Sequence, residues 1–266
     1  MTEESLLYDV QDYVGTITLN RPEKMNAFNP TMLGLWAKAL ESAGRDEGVR
    51  VVVVTGAGRG FCSGGDVSNK EVGGDLFGES LVAGRNGLRH SVHAVPRALS
   101  NLEKPYIAAV NGAAVGAGMD MATMADLRIV SDRAKFGMAY VKVGLTPGDG
   151  GAYFLPKVVG MARALELMWT GRIFTAEEAL EMGYALRVVP HEDLMKEVGE
   201  FAGELARGPA VAMQLTKRLA YRSQEVGMHE ALEMAEHAMV LARATEDSRE
   251  GPRAFAEKRP PNFEGR

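Results

Sequence analysis

The chain has 266 residues, 46% of them hydrophobic and 24% charged, with a formal net charge of −5. That length suits one large domain, or one domain with a helical appendage, and it buries most of the apolar surface an unfolded chain exposes. The acidic balance argues against a nucleic-acid binder, which needs a basic face to neutralise phosphates, but it leaves room for a local basic pocket around one phosphorylated ligand.

In chain order, Leu6–Val10 and Val14–Leu19 read as strands, the second with alternating polar and apolar residues. Pro30–Arg45 reads as a helix, with Asn29 as N-cap and Pro30 as first helical residue. Val51–Thr55 is a β-branched run, the mark of a strand buried on both faces. Gly56–Gly65 is glycine-rich and is expected to be a loop, as are residues 69–88, which lack a clear period. His90–Leu102 reads as a helix, Tyr106–Asn111 as a buried strand, Gly112–Gly118 as a small-residue turn, Met119–Ala125 as a short helix and Leu127–Val130 as a further strand. Strand, crossover helix and strand in this order predict a mainly parallel α/β core. After Pro147 the pattern turns helical, over 151–159, 161–170, 176–182, 193–207, 209–223, 227–244 and 248–258. The stripe Leu232, Ala235, Met239, Ala242 in the last part is read as core or subunit interface.

Two glycine-rich turns follow buried strands: FCSGGD (Phe61–Asp66) and NGAAVGAGMD (Asn111–Asp120). In a parallel sheet, ligands bind at the carboxyl ends of strands, so both turns can face one crevice. Small residues there let a ligand approach the main chain, and the second turn opens a helix whose first N–H groups are unpaired. Two such donors aimed at one oxygen make an oxyanion hole. A phosphate loop is excluded because no G-x-x-x-x-G-K-[S/T] is present, and Gly56-Ala57-Gly58 lacks the third glycine of a dinucleotide fingerprint.

Six stretches in order carry a resemblance: NRPEKMNAF (Asn20–Phe28), VVVVTGAGRGFCSGGDV (Val51–Val67), KPYIAAVNGAAVGAGMD (Lys104–Asp120), ADLRIVSDRAKFGM (Ala125–Met138), GLTPGDGG (Gly144–Gly151) and AFAEKRPPNF (Ala254–Phe263). Over nearly its whole length the chain resembles the enoyl-CoA hydratase/isomerase, or crotonase, superfamily. The resemblance implies a crotonase-like α/β fold of repeated ββα units, with a core over residues 1–200 and a C-terminal helical trimerisation region over 201–266. It implies a homotrimer or a dimer of trimers. It implies an acyl-CoA substrate, no separate cofactor and no metal. Gly65 and Ala117 match the family's two oxyanion N–H donors. Lys24, Met25 and Ala27 match residues lining the coenzyme A nucleotide. Ser63, Asp66 and Val67 match the loop around adenine and pantetheine. Phe255 and Lys258 match residues that reach a neighbouring subunit's coenzyme A. A lysine suits phosphate as a point charge.

The family's hydratases use two glutamates, and neither stands here. Asp120 fills the first position and Tyr140 the second. Asp120 keeps the carboxylate one methylene shorter and is a candidate general acid or base; a helix-start aspartate favoured by the dipole is the plainer reading. Tyr140 is a hydrogen-bond donor or a packing aromatic, since a phenol near pKa ~10 is no base at neutrality. Asp149 is the third candidate, weighed against N-capping of a helix that begins around Gly150. An Asp120/Asp149 pair would replace the glutamates, with split pKa values leaving one acid and one base.

His191, His229 and His237 are expected to lie away from the turns, while His90 and His93 lie near the variable loop and are read as structural. No cluster has metal-ligand spacing. Cys62, the single cysteine, is read as buried filler, and its solitude excludes an internal disulfide. The N-terminal MTEESLLYDV has no signal-like apolar core, and no apolar run approaches the ~20 residues of a membrane span. The chain is therefore expected in the cytoplasm with neither membrane nor nucleic-acid partners. The leading functional reading is reversible addition of water to a 2-enoyl-CoA through a thioester enolate. Enoyl-CoA isomerase and acyl-CoA hydrolase are the alternatives, and an RNA-binding homologue without activity is disfavoured by the acidic balance and the lack of a basic, aromatic-rich run.

Overall fold

The computed structural model describes residues 4–66 and 80–266. Strands β1 (Leu6–Gln11) and β2 (Val14–Leu19) form an antiparallel hairpin. Its two turn residues, Asp12 and Tyr13, both have positive φ, the backbone of a tight two-residue hairpin turn. Helix α1 (Pro30–Arg45) follows, and the Asn29 side chain accepts from the Met32 N–H as its cap. Next come β3 (Val51–Gly56), β4 (Gly60–Cys62), α2 (Leu81–Gly87), α3 (Ala94–Ser100), β5 (Tyr106–Val110), β6 (Ala113–Val115), α4 (Ala117–Thr123), β7 (Leu127–Ser131) and β8 (Lys135–Gly137). A 3₁₀ turn, Ala139–Val143, leads to α5 (Gly151–Val159) and α6 (Met161–Thr170). The chain closes with β9 (Phe174–Thr175), α7 (Ala176–Glu181), β10 (Arg187–Val189), α8 (Leu194–Ala206), α9 (Ala210–Arg222), α10 (Met228–Arg243) and α11 (Asp247–Glu257).

Two sheets result. The larger runs β1-β2-β3-β5-β7-β10 and is parallel from β2 onward; the smaller runs β4-β6-β8-β9. Each of β3, β5 and β7 runs directly into a short strand of the second sheet, which is the expected strand-pair repeat. Val51–Val54 alternates between two cores. Val52 and Val54 join the main core with Trp36, Leu40 and Phe61, while Val51 and Val53 pack with Leu194, Val198 and Ala202 of α8. Burying each such valine is worth roughly 1.5–3 kcal/mol.

The second sheet corrects the sequence reading in two places. Gly60–Cys62 lies inside the stretch expected as loop, and Ala113–Val115 inside the stretch expected as turn. These strands are only three residues long, too short to show an alternating period, and they lie inside glycine-rich stretches. Part of the expected 69–88 loop is also helical, as Ser80 caps α2 by accepting from the Ala83 N–H. The expected His90–Leu102 helix is broken into a π-turn, Leu88–Val92, and α3. Among the described residues no helix is long and apolar enough to cross a membrane.

Candidate active site

The two glycine-rich turns meet. Phe28 bridges the first: its N–H donates to the Gly64 carbonyl at 2.8 Å, and its carbonyl accepts from the Asp66 N–H at 3.0 Å. The Gly65 N–H, between those two bonds, has no hydrogen-bond partner among the described residues. Ala117 is the first residue of α4, where an N–H has no intrahelical acceptor, and it too is unpaired among the described residues. A Cβ built on Gly64 would sit 3.4 Å from the Ala117 nitrogen, so the first turn lies directly over the second. Two donors left free beside a helix N-terminus stand where the sequence reading expects an oxyanion hole.

Gly118 is what lets the turns touch. A Cβ there would fall 2.0 Å from the Cys62 carbonyl oxygen and 2.6 Å from its carbon, both backbone atoms. Gly118→Ala is expected to lower stability by about 2–3 kcal/mol, read as a shifted denaturant midpoint. An unchanged midpoint would refute the close packing.

Asp120 lies one helical turn beyond Ala117, on the same face of α4. It is fully buried. The Tyr140 hydroxyl, from the 3₁₀ turn, lies 2.7 Å from Asp120 Oδ2 and 3.0 Å from Asp149 Oδ2. The structure thus brings together all three acid–base candidates. Asp149 does not cap α5: the N-cap is Gly150, with no side-chain cap bond. Asp120 Oδ1 is buried without a hydrogen-bond partner. It rests against Gly151, where an added Cβ would fall 2.0 Å from it. An orphaned buried oxygen costs about 1–3 kcal/mol, a strain that functional sites keep.

Burial pushes the Asp120 carboxyl up to about 7. The Tyr140 hydrogen bond and the nearby Gly151 and Asp149 amides oppose that rise, and the Asp149 charge adds to it. Asp149 is also raised by burial, against the pull of Tyr140 and the His93 ring. Tyr140 is driven far above the ordinary phenol range by burial and then by its two carboxyl neighbours, so it stays neutral. The sequence reading set His93 aside as structural. Its Nε2 lies 2.8 Å from the Gly148 carbonyl, which ties α3 to the loop carrying Asp149. Only contacts 55 residues apart in the chain reveal it. Cys62 is buried, and burial pushes its thiol up to about 12, as suits filler.

The expected coenzyme A residues divide. Met25 has positive φ, and its carbonyl accepts from the Ser63 N–H at 3.0 Å, so the Asn20–Phe28 stretch and the first turn are joined at their backbones. Lys24 and Ser63 are exposed there, and Ala27 is buried. Asp66 is buried and paired with Arg21 at 2.8 Å, while Arg21 also donates to the Ala27 carbonyl. Its carboxylate therefore braces the loop, a role the sequence reading missed along with Arg21. Asn26, fully buried with positive φ, donates to the Ala57 and Gly60 carbonyls and accepts from the Arg21 N–H. Asparagine tolerates that backbone, which is the signal NRPEKMNAF offered. Val67 lies outside the described residues. Phe255, 88% exposed on α11, and Lys258, just past its end, make no side-chain hydrogen bond or ion pair to the site among the described residues.

Comparison with known proteins agrees with this geometry. The family model for enoyl-CoA hydratase/isomerase matches residues 9–266. The chain is 38% identical to 1,2-epoxyphenylacetyl-CoA isomerase of Escherichia coli (strain K12), over 99% of each chain. It is 34% identical to crotonyl-CoA hydratase of Syntrophomonas wolfei, again over 99% of each. The crystal structure of enoyl-CoA hydratase from Bacillus anthracis superposes with a TM-score of 0.91 at 31% identity, covering 98% of this chain and 100% of that one. The paired sheets, the two facing turns and these matches place the chain in the enoyl-CoA hydratase/isomerase family, as a crotonase-fold enzyme that processes acyl-CoA thioesters.

Proposed function

We propose that this enzyme moves the double bond of an enoyl-CoA. The thioester oxygen lies in the hole formed by the Gly65 and Ala117 N–H groups. Asp120 takes a proton from a carbon conjugated to the thioester and returns it at another, and the enolate oxygen carries the charge between the two steps. The observation that supports this best is the unpartnered Asp120 Oδ1, one turn from Ala117 on the same helix face. Tyr140 engages one oxygen of each carboxyl, and Asp120 Oδ1 is the oxygen assigned to exchange a proton with substrate. A carboxyl raised to about 7 is matched to proton transfer near neutrality.

Hydration is the second reading. It draws on the same pair of carboxyls, one to activate water and one to protonate the α-carbon, and on relatives that carry hydratase names. A panel of enoyl-CoA thioesters in deuterated water, followed by mass spectrometry, separates the two. Isomerisation gives a shifted double bond with no water gained. Stoichiometric addition of water would transfer the assignment to hydration, and release of free coenzyme A to hydrolysis.

Lys24, Met25, Ala27, Ser63 and Val67 are assigned to the coenzyme A handle, with Lys24 facing phosphate and the thioester itself as the only organic group required. Phe255 and Lys258 are assigned to a neighbouring subunit's coenzyme A, in a homotrimer or dimer of trimers built through residues 201–266. The exposure of Phe255, Met228, Leu232, Met239 and Val240 supports that assembly. The acidic chain with a single cysteine fits a cytoplasmic enzyme.

A further inference from the structure

Three oxygens stand in a row on the floor of the site: Asp120 Oδ2, Tyr140 Oη and Asp149 Oδ2, separated by 2.7 and 3.0 Å. A phenol carries one proton. With both carboxyls ionised, that proton serves one neighbour and leaves the other oxygen facing a lone pair at hydrogen-bonding distance. Two buried carboxylates this close resist joint ionisation. One more proton satisfies the row. The fully buried Asp120 is the better holder of it, because Asp149 is 6% exposed and faces the His93 ring. Asp120 Oδ2–H then donates to Tyr140 Oη, and Tyr140 donates to the Asp149 carboxylate.

From this row we infer that Tyr140 is a proton relay, through which Asp149 acts as the distant base for a substrate proton received at Asp120 Oδ1. The inference rests on the proton-transfer reading above. As the substrate C–H bond breaks, its proton goes to Asp120 Oδ1, the proton on Asp120 Oδ2 passes to Tyr140 Oη, and the Tyr140 proton passes to Asp149. One C–H and two O–H bonds break while three O–H bonds form. The negative charge leaves Asp149 and arrives on the enolate oxygen beneath Gly65 and Ala117. Reversal of the three steps returns the Oδ1 proton to a different carbon and restores the row. Tyr140 is never a phenolate, in keeping with a hydroxyl held far above its ordinary range. The relay also gives the orphaned Asp120 Oδ1 a role, as the atom that receives the substrate proton.

The relay needs one shared proton, so the parent kcat/KM falls on the alkaline side of neutrality, where that proton is lost. Tyr140→Phe cuts the row and leaves Asp120 to act alone as an ionised base. Its rate is expected to drop on the order of 10²-fold at neutrality and to rise on the alkaline side, opposite to the parent. The groups facing the pair are His93, Cys62 and Tyr184. Cys62 and Tyr184 are both held up at about 12, and repeating the comparison in a His93→Gln background removes the imidazole from it. Coenzyme A binding of Tyr140→Phe is expected to match the parent, while its melting temperature falls because two buried carboxyl oxygens lose their shared partner. A variant that keeps the parent's profile shape, or a parent whose rate climbs with pH, overturns the relay. Infrared titration without substrate tests it independently. The parent should retain one protonated carboxyl at neutrality, with a band that shifts in Tyr140→Phe, and a parent lacking that band overturns the relay. Failure of every enoyl-CoA to turn over would instead retire the isomerase reading, and the infrared titration alone would then decide the relay.

Discussion

Asp120→Asn is expected to lower turnover by roughly 10³-fold and, unlike most active-site losses, to raise the melting temperature above neutral pH. The carboxyl titrates at about 7 in the folded chain against an ordinary value of 3.8. Between those values the folded state holds a proton that the unfolded chain has released. Stability is therefore complete below the unfolded value and declines as pH rises through the folded one, by about 1.4 kcal/mol per unit at most. Asparagine carries no charge and escapes that decline. The gap in melting temperature between variant and parent should widen as pH rises from the unfolded value toward the folded one and level off above neutrality. Coenzyme A binding should persist, because the proposed handle lies on the joined Asn20–Phe28 and Phe61–Asp66 backbones and not on α4. Scanning calorimetry on both sides of neutrality, with thioester turnover on the same samples, tests both claims. A gap that closes with rising pH would show that Asp120 is not held protonated by burial, and unchanged turnover would remove it from the mechanism.

What the sequence revealed follows from how local each signal is. The valine run of β3 and the Asn29–Pro30 start of α1 are written within a few residues of themselves and stand where expected, and the two glycine-rich stretches meet although each also carries a short strand. The second sheet was hidden because Gly60–Cys62 and Ala113–Val115 are short, and they are strands by virtue of pairing with each other and with β8. The acid–base group was half legible. Asp120 and Asp149 were singled out as a pair, and Tyr140 apart from them as a hydrogen-bond donor or packing aromatic. Their union depends on the start of α4, the 3₁₀ turn and the loop before α5 closing on one point, a tertiary fact that spacing does not carry. Asp66 shows another tertiary fact: the motif match points to the ligand loop, and the fold adds an ion pair to Arg21 that the motif does not announce.

Ala117→Pro isolates the oxyanion hole from everything beside it. Proline has no N–H, and the first helical position is where its ring is best tolerated, so α4 should still form. The ring carbon that replaces the hydrogen would occupy the place proposed for the thioester oxygen. Loss of one such donor typically lowers kcat 10²–10³-fold, or about 3–4 kcal/mol, and the filled hole adds to that. Ala117→Gly keeps the donor and should retain activity close to the parent's. The pair of variants separates backbone from side chain: if the alanine methyl were what mattered, glycine would be the damaging change and proline the milder one. The donor acts at the enolate oxygen, whichever carbon receives the proton. Deuterium exchange at the α-carbon should therefore fall in Ala117→Pro in step with product formation. Exchange that continued at the parent's rate while product formation stopped would mean that the enolate is stabilised elsewhere, and that the Gly65–Ala117 hole serves a later step.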